Sequence, residues 1–213
     1  MIRVLISALL IPAISHAQPN LVDTEIHIAA SRSNYAAVDS LLKAGEDPNQ
    51  KGRSSNTALI IAAYSGDPRM VEMLIRAGAD LNNQGNNNHT ALHAAIHAKS
   101  NVCVQLLVEE GANPNLRDSL GFSPLHQAAN FGNLRAVRTL LDAGADLESY
   151  ANGNRTALLL AADIGHTVIV KELLERGANP NVSSVWEQTP LNMSTAHGHT
   201  DIVKLLAAAG ATE

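Results

Sequence analysis

Two histidines at a spacing of four residues, His93 and His97, are the side chains of this sequence most suited to metal chemistry. On a helix, imidazoles at positions i and i+4 lie on one face and can share a metal ion. No glutamate lies between them, and His197 and His199, which flank Gly198, have no acid or thiol at a useful spacing. We therefore predict no metal site and no cofactor, with metal binding by His93 and His97 as the weaker alternative.

The single cysteine, Cys103, could serve as a redox sensor, since a lone thiol cannot form a disulfide within the chain. Its position in the repeat described below is filled elsewhere by alanine, methionine or isoleucine, so a small core residue is the preferred interpretation. No Ser-His-Asp order, nucleophile elbow or phosphate-binding glycine loop occurs in a supporting context. The sequence therefore predicts a protein that is not an enzyme.

The elements that would position these side chains recur every 33 residues without insertion or deletion. A hydroxyl residue recurs at Thr24, Thr57, Thr90, Ser123, Thr156 and Thr189, and a glycine recurs at Gly45, Gly78, Gly111, Gly144, Gly177 and Gly210. A Ser or Thr suits the N-cap of a first helix, and the apolar spacing of Val137 with Leu140 and Leu141 indicates one face of a second helix. The pattern therefore predicts that each repeat contains a helix, a turn, a second helix and a polar projecting segment.

The pattern resembles the ankyrin repeat, most closely in residues 115–148, NLRDSLGFSPLHQAANFGNLRAVRTLLDAGADLE. The resemblance implies an all-α solenoid of stacked helix-turn-helix units with projecting, β-hairpin-like fingers. It covers residues 18–213 as one ankyrin-repeat domain, with six repeats at 18–49, 50–82, 83–115, 116–148, 149–181 and 182–213.

Local departures from the ankyrin pattern give further expectations. His27, His93 and His126 occupy the histidine position of the family and are expected inside the stack, whereas Ile60, Leu159 and Asn192 break this column. Ser33 and Lys99 replace the glycine between the two helices, which leaves the geometry of those two turns open.

The N-terminus has the composition of a secretory signal peptide. Arg3 precedes an apolar run from Val4 to Ile14, and Ala17 ends a small-x-small cleavage pattern, which predicts a signal peptide over residues 1–17. A buried N-terminal helix is the alternative. The run is shorter than the roughly 20 residues that cross a bilayer, so we expect no membrane insertion. Export to a periplasm is favoured, and an extracellular location stays open.

Charge argues against one class of partner. The chain has 15 basic and 20 acidic residues, and removal of Arg3 with the signal peptide would change the net charge from −5 to −6. Clustered Lys and Arg, the usual mark of nucleic-acid binding, are missing. We expect a monomer that binds a protein rather than a nucleic acid.

The positions that vary between repeats form two strips: the fingertips and the C-terminal end of each first helix. In the ankyrin family these strips line the concave recognition surface, and here they hold most of the aromatic residues. Exposed aromatic and aliphatic side chains are typical binding anchors. The predicted partner-binding residues are Tyr64, Leu120, Phe122, Phe131, Tyr150, Ile164, Val185 and Trp186. The alternative is that they only pack against neighbouring fingers.

The first functional hypothesis is therefore an exported, non-enzymatic scaffold that binds a protein partner through its concave face and fingertips. The second is an accessory or protective factor for an exported redox or haem enzyme in oxidative defence, with His93, His97 or Cys103 at a metal. The third is a secreted, host-directed effector.

Overall fold

The computed structural model describes residues 22–212, so the predicted signal peptide over residues 1–17 lies outside the described residues. The regular elements within this range are twelve α-helices and one short 3₁₀ helix at Asn86–Asn88. The helices are α1 Glu25–Ser31, α2 Tyr35–Lys43, α3 Ala58–Tyr64, α4 Pro68–Arg76, α5 Ala91–His97, α6 Asn101–Glu109, α7 Pro124–Asn130, α8 Leu134–Asp142, α9 Ala157–Ile164, α10 Thr167–Glu175, α11 Pro190–Ala196 and α12 Thr200–Ala208.

Each of the six predicted repeats contains two of these helices, and helices pack with those of their own repeat and of adjacent repeats. The first helices form one row, in which α3 packs on α5 and α7 packs on α9. The second helices form the other row, in which α6 packs on α8. The predicted all-α repeat solenoid is confirmed, and the repeat boundaries stay predictions.

The helices begin where the hydroxyl and capping residues predict. Thr57 and Thr156 accept hydrogen bonds from backbone N–H groups of the first turn of α3 and α9. Asp67 and Asn133 do the same for the second helices α4 and α8, so the predicted N-caps are confirmed there.

The paired alanines form the contact between successive first helices. Ala62, Ala63, Ala128 and Ala129 have no exposed surface, and Val137 and Leu140 of α8 are likewise fully buried. Because the side chain of alanine is only a methyl group, successive first helices can approach closely and exclude water between them.

The turns between the two helices are alike in all six repeats. Gly66, Gly132 and Gly165 have positive φ, and Ser33 and Lys99 adopt the same left-handed conformation with φ of 52° and 55°. Ser33 and Lys99 therefore keep the geometry of the glycine turns, at a cost in backbone strain.

The fingers are short, closed turns. In the finger of repeat four, the Asp118 N–H donates to the Phe122 carbonyl at 2.9 Å, and in repeat five Ala151 and Arg155 form an antiparallel bridge. Successive fingers are also joined by backbone hydrogen bonds, from Asn152 N–H to Leu120 carbonyl at 3.1 Å and from Val185 N–H to Gly153 carbonyl at 3.0 Å. The fingers of repeats four to six therefore form a connected row.

Candidate protein-binding surface

Six of the eight predicted partner-binding residues are exposed on the two strips. Trp186 is 60% exposed and Phe131, the least exposed of the six, is 38% exposed. Four belong to the fingertips and two to the C-terminal ends of first helices, and all lie in repeats four to six. We call this set the apolar strip: Leu120, Phe131, Tyr150, Ile164, Val185 and Trp186.

The fingers hold the largest side chain of the apolar strip in place. The indole of Trp186 lies over Gly153 of the preceding finger, where a Cβ atom would come within 2.3 Å of the indole atom Cζ3. Glycine at 153 is therefore required for this contact. Trp186 packs against a neighbouring finger, as the alternative interpretation proposed, and still leaves more than half of its surface exposed.

The other two predicted residues, Tyr64 and Phe122, are half-buried and make contacts within the chain. The Tyr64 hydroxyl hydrogen-bonds His89 Nδ1, and its ring meets His97 edge to face at 5.7 Å between centroids. The Phe122 ring contacts His126 at 5.9 Å and lies 5.5 Å below the guanidinium carbon of Arg155. A role for Tyr64 or Phe122 in partner binding stays a prediction.

A polar cluster in the middle of the stack was not predicted. His89 Nε2 lies 3.5 Å from Asp118 Oδ2, and Gln127 Nε2 donates to the same carboxylate oxygen at 3.3 Å. The other oxygen of Asp118 accepts the backbone N–H groups of Leu120 and Phe122, both at 2.9 Å. The order Asp-Ser-Leu-Gly in residues 118–121 is typical of a type I turn. It could have predicted that the Asp118 carboxylate accepts backbone N–H groups of its own finger. Nothing in the local sequence indicates its contact with His89.

Burial dominates the electrostatics of this cluster. It lowers the pKa of His89, against the opposing effect of the nearby Asp118 carboxylate. It also raises the pKa of the Tyr64 hydroxyl, and Asp118 adds to that increase. The arrangement therefore favours a neutral His89 that accepts a hydrogen bond from Tyr64 at Nδ1 and has its Nε2 near the Asp118 carboxylate.

Both ring nitrogens of His93 are engaged inside the stack, as expected for the histidine column. Its Nδ1 accepts the Thr90 backbone N–H at 3.2 Å, and its Nε2 lies 3.1 Å from the Phe122 carbonyl of the next repeat. His126 makes the equivalent contacts with the Ser123 N–H and the Arg155 carbonyl, and its Nε2 also lies 2.9 Å from the Ser149 carbonyl. Burial lowers the pKa of His93 and that of His126 to about 4.

The structure does not bring His93 and His97 together around a shared metal position. The nitrogens of His93 are already hydrogen-bonded, whereas the His97 ring is exposed between Tyr64 and Phe131. Within residues 22–212, no group of three or more His, Cys, Asp or Glu side chains is arranged to hold a metal ion. Cys103 is fully buried, and burial raises the pKa of its thiol, which lowers its reactivity. His93 and Cys103 therefore give no support to a role beside a redox or haem enzyme.

No helix of the described part of the chain is both long and apolar enough to span a bilayer. The predicted signal peptide over residues 1–17 lies outside this part of the chain.

Comparison with known proteins agrees with this architecture. A family model described as ankyrin repeats (3 copies) matches four overlapping segments, residues 6–85, 26–118, 59–151 and 125–212. The chain belongs to the ankyrin-repeat family. It is similar to a crystal structure of an ankyrin repeat domain from Acinetobacter baumannii AYE, with 30% identity over 88% of this chain and 98% of that one, and a TM-score of 0.83. Among curated proteins, none matches the chain.

Membership of the ankyrin-repeat family gives the general function. Ankyrin repeats are protein–protein interaction scaffolds and are typically not enzymes. The apolar strip holds six of the ten large apolar side chains that are exposed in residues 22–212, and the other four are Val22, Ile28, Val102 and Val168.

Proposed function

We propose that this ankyrin-repeat protein is an exported scaffold that binds a protein partner through the apolar strip and catalyses no reaction. The observation that carries the proposal is the grouping of six exposed large apolar side chains on the fingertips and the C-terminal ends of first helices in three adjacent repeats. Exposed aromatic side chains held on a rigid support are the residues that contribute most to protein–protein affinity.

Two features support binding by a preformed surface. The fingers that present Leu120, Tyr150 and Trp186 are joined to one another by backbone hydrogen bonds, so little conformational freedom is lost when a partner binds. Trp186 is also fixed by its contact with Gly153. An anchor that is already immobilised contributes more of its contact energy to affinity.

The partner can be identified by capture and tested by substitution. The purified protein is used to recover partners from the exported fraction of its source cells, and recovery is compared for Trp186→Ala, Phe131→Ala and the unchanged protein. If Trp186 is central to the interface, its loss costs upward of about 2 kcal/mol, which is roughly a 30-fold decrease in affinity.

Val168→Ala is the matched control, because Val168 lies in α10 and is as exposed as Trp186 but belongs to the row of second helices. Unchanged recovery with both Trp186→Ala and Phe131→Ala would contradict the proposed surface. Equal losses with the Val168 control would show that the decrease is not specific to the strip.

Export is tested separately from binding. Mass spectrometry of the protein recovered from cells should find an N-terminus at Gln18, and fractionation should place it outside the cytoplasm. A full-length chain that stays in the cytoplasm would contradict export and leave the proposed scaffold function untouched.

A further inference from the structure

Three titratable side chains from three adjacent repeats form a connected chain on the side of the fingers. The hydroxyl of Tyr64, at the C-terminal end of α3, hydrogen-bonds Nδ1 of His89, and Nε2 of His89 lies 3.5 Å from an oxygen of Asp118. Tyr64 and His89 are half-buried, and the Asp118 side chain is buried. A phenol, a base and a carboxylate in this order can move a proton away from the phenol.

The hydroxyl of Tyr64 keeps its proton at neutral pH. Burial raises the pKa of this hydroxyl, and the Asp118 carboxylate raises it further. A phenol that loses one electron becomes a strong acid, so its oxidation is easiest when a positioned base takes the proton in the same step. The base is present, because burial lowers the pKa of His89 and leaves its Nδ1 without a proton at pH 7.

The surroundings of His89 stabilise the imidazolium that such a transfer forms. Asp118 raises the pKa of His89 against the effect of burial, and its carboxylate is held in place by the backbone N–H groups of Leu120 and Phe122, both at 2.9 Å. The His93 ring, which stacks on His89 at 5.4 Å between centroids, is neutral because burial lowers its pKa to about 4. The buried ring in contact with His89 therefore carries no positive charge that would oppose its protonation.

The other two tyrosines have weaker proton acceptors. The Tyr35 hydroxyl donates to a carboxylate oxygen of Asp67 at 2.9 Å, and a carboxylate is ordinarily a weaker base than an imidazole, with a pKa of about 4 against about 6.5. Tyr150 is exposed at a fingertip, where water is the available acceptor. Tyr64 is therefore the tyrosine whose oxidation the structure favours most.

We infer that Tyr64 is a one-electron donor whose phenolic proton passes to His89 when it is oxidised. The substrate is a one-electron oxidant, such as an oxidising radical that reaches this side of the stack. Tyr64 gives one electron to the oxidant and its proton to Nδ1 of His89, which leaves a neutral tyrosyl radical and an imidazolium beside Asp118. The step uses one oxidant for each protein molecule and is independent of partner binding.

The test compares the three tyrosines of the chain under the same oxidant. The protein carries Trp186→Phe, which removes the sole tryptophan, and is oxidised at pH 7 by ruthenium(III) trisbipyridine generated with a light flash. Electron paramagnetic resonance of frozen samples detects tyrosyl radicals. We expect Tyr64→Phe to remove most of the radical signal, whereas Tyr35→Phe and Tyr150→Phe should leave most of it.

Two histidine substitutions supply the matched comparison. His89→Gln keeps a hydrogen-bond acceptor but removes the base, so it should slow formation of the Tyr64 radical by about tenfold or more, as followed by transient absorbance after the flash. His97→Gln removes an exposed imidazole that meets the Tyr64 ring edge to face at 5.7 Å without contacting its hydroxyl, and should leave the rate within about twofold. Circular dichroism checks that each variant is folded, and His89→Asn replaces His89→Gln if the latter is not.

Three results would overturn the inference. These are a radical signal that survives Tyr64→Phe, no tyrosyl radical in the folded protein, or equal effects of His89→Gln and His97→Gln on the rate. Equal effects would mean that the contact between Tyr64 and His89 is structural only. Because no partner takes part in these measurements, their failure leaves the proposed scaffold function untouched.

Discussion

At the scale of single residues, the buried histidines link neighbouring repeats. His126 accepts the Ser123 N–H through Nδ1 and, through Nε2, reaches the Ser149 carbonyl at 2.9 Å and the Arg155 carbonyl at 3.1 Å. One neutral ring thereby caps the N-terminus of α7 and contacts the backbone of the next repeat. Protonation would remove the acceptor at Nδ1 and place a charge in the core, so these contacts depend on pH.

The folded protein should lose stability in mild acid. The pKa of His126 is lowered to about 4 in the folded protein, against about 6.5 in the unfolded chain, so only the unfolded chain gains the proton between these values. The free energy of unfolding should therefore be unaffected by His126 above pH 7 and should decrease as pH falls from about 6.5 to about 4. At pH 5 the decrease is about 2 kcal/mol for each such histidine.

Urea unfolding at pH 7 and pH 5 measures this effect. His126→Gln keeps a hydrogen-bonding side chain without the titration, so its stability should change less between the two pH values than that of the unchanged protein. His97→Gln, at an exposed position, should retain the original pH dependence. Identical pH dependence for all three proteins would show that the buried ring does not control acid stability.

At the scale of the elements, the turn after α5 contains strain that can be removed. Lys99 has a φ of 55°, a conformation that costs a residue with a Cβ atom about 1 kcal/mol and that glycine adopts freely. We expect Lys99→Gly to stabilise the protein by about 0.5 kcal/mol, after the entropy lost by glycine is subtracted, as measured by urea unfolding. Ala98→Gly, at the adjacent residue in right-handed conformation, should destabilise it by a similar or larger amount. Stabilisation by both substitutions would contradict this account of the turn.

A second prediction at this scale separates core from surface within repeat four. Leu140 of α8 is fully buried, and Leu120 at the fingertip is 59% exposed. Leu140→Ala should lower the free energy of unfolding by about 2 to 5 kcal/mol because it leaves a cavity. Leu120→Ala, the same chemical change, should lower it by less than about 1 kcal/mol. Similar losses at the two positions would mean that the assignment of core and surface columns is wrong.

At the scale of the whole molecule, the helices of residues 22–212 pack within their own repeat and on the adjacent repeats. In the row of first helices, α3 packs on α5, α7 on α9 and α9 on α11, so the stack grows in one direction rather than around a central core. The described part of the chain therefore presents a long, continuous surface on the side of the fingers. The apolar strip extends over three repeats of this surface.

This architecture predicts an elongated shape in solution. A compact globular chain of 213 residues has a radius of gyration of about 17 Å. Small-angle scattering of the monomer should give a larger value, and circular dichroism should be dominated by helix. A radius at or below that of a compact domain, or a spectrum dominated by sheet, would contradict the stack.

Much of the fold could be predicted from the sequence because its signals are local. An N-cap and the N–H groups it receives lie three residues apart, as Asn133 and Ala136 do, and the apolar face of α8 is set by spacings of three and four residues. The repeat then multiplies each local signal sixfold. The apolar strip could be predicted for the same reason, since its residues occupy columns that the core does not use.

The tertiary structure alone decided which side chains meet across repeats. Tyr64, His89 and Asp118 are separated by 25 and 29 residues, and Trp186 meets Gly153 across 33. These distances depend on how closely one repeat packs on the next, which no local spacing specifies. The sequence by itself therefore determined the helices, their caps and the repeat. Only the packing of the repeats decided that Tyr64 and Phe122 turn inward while Trp186 stays exposed, because burial depends on the neighbouring repeat.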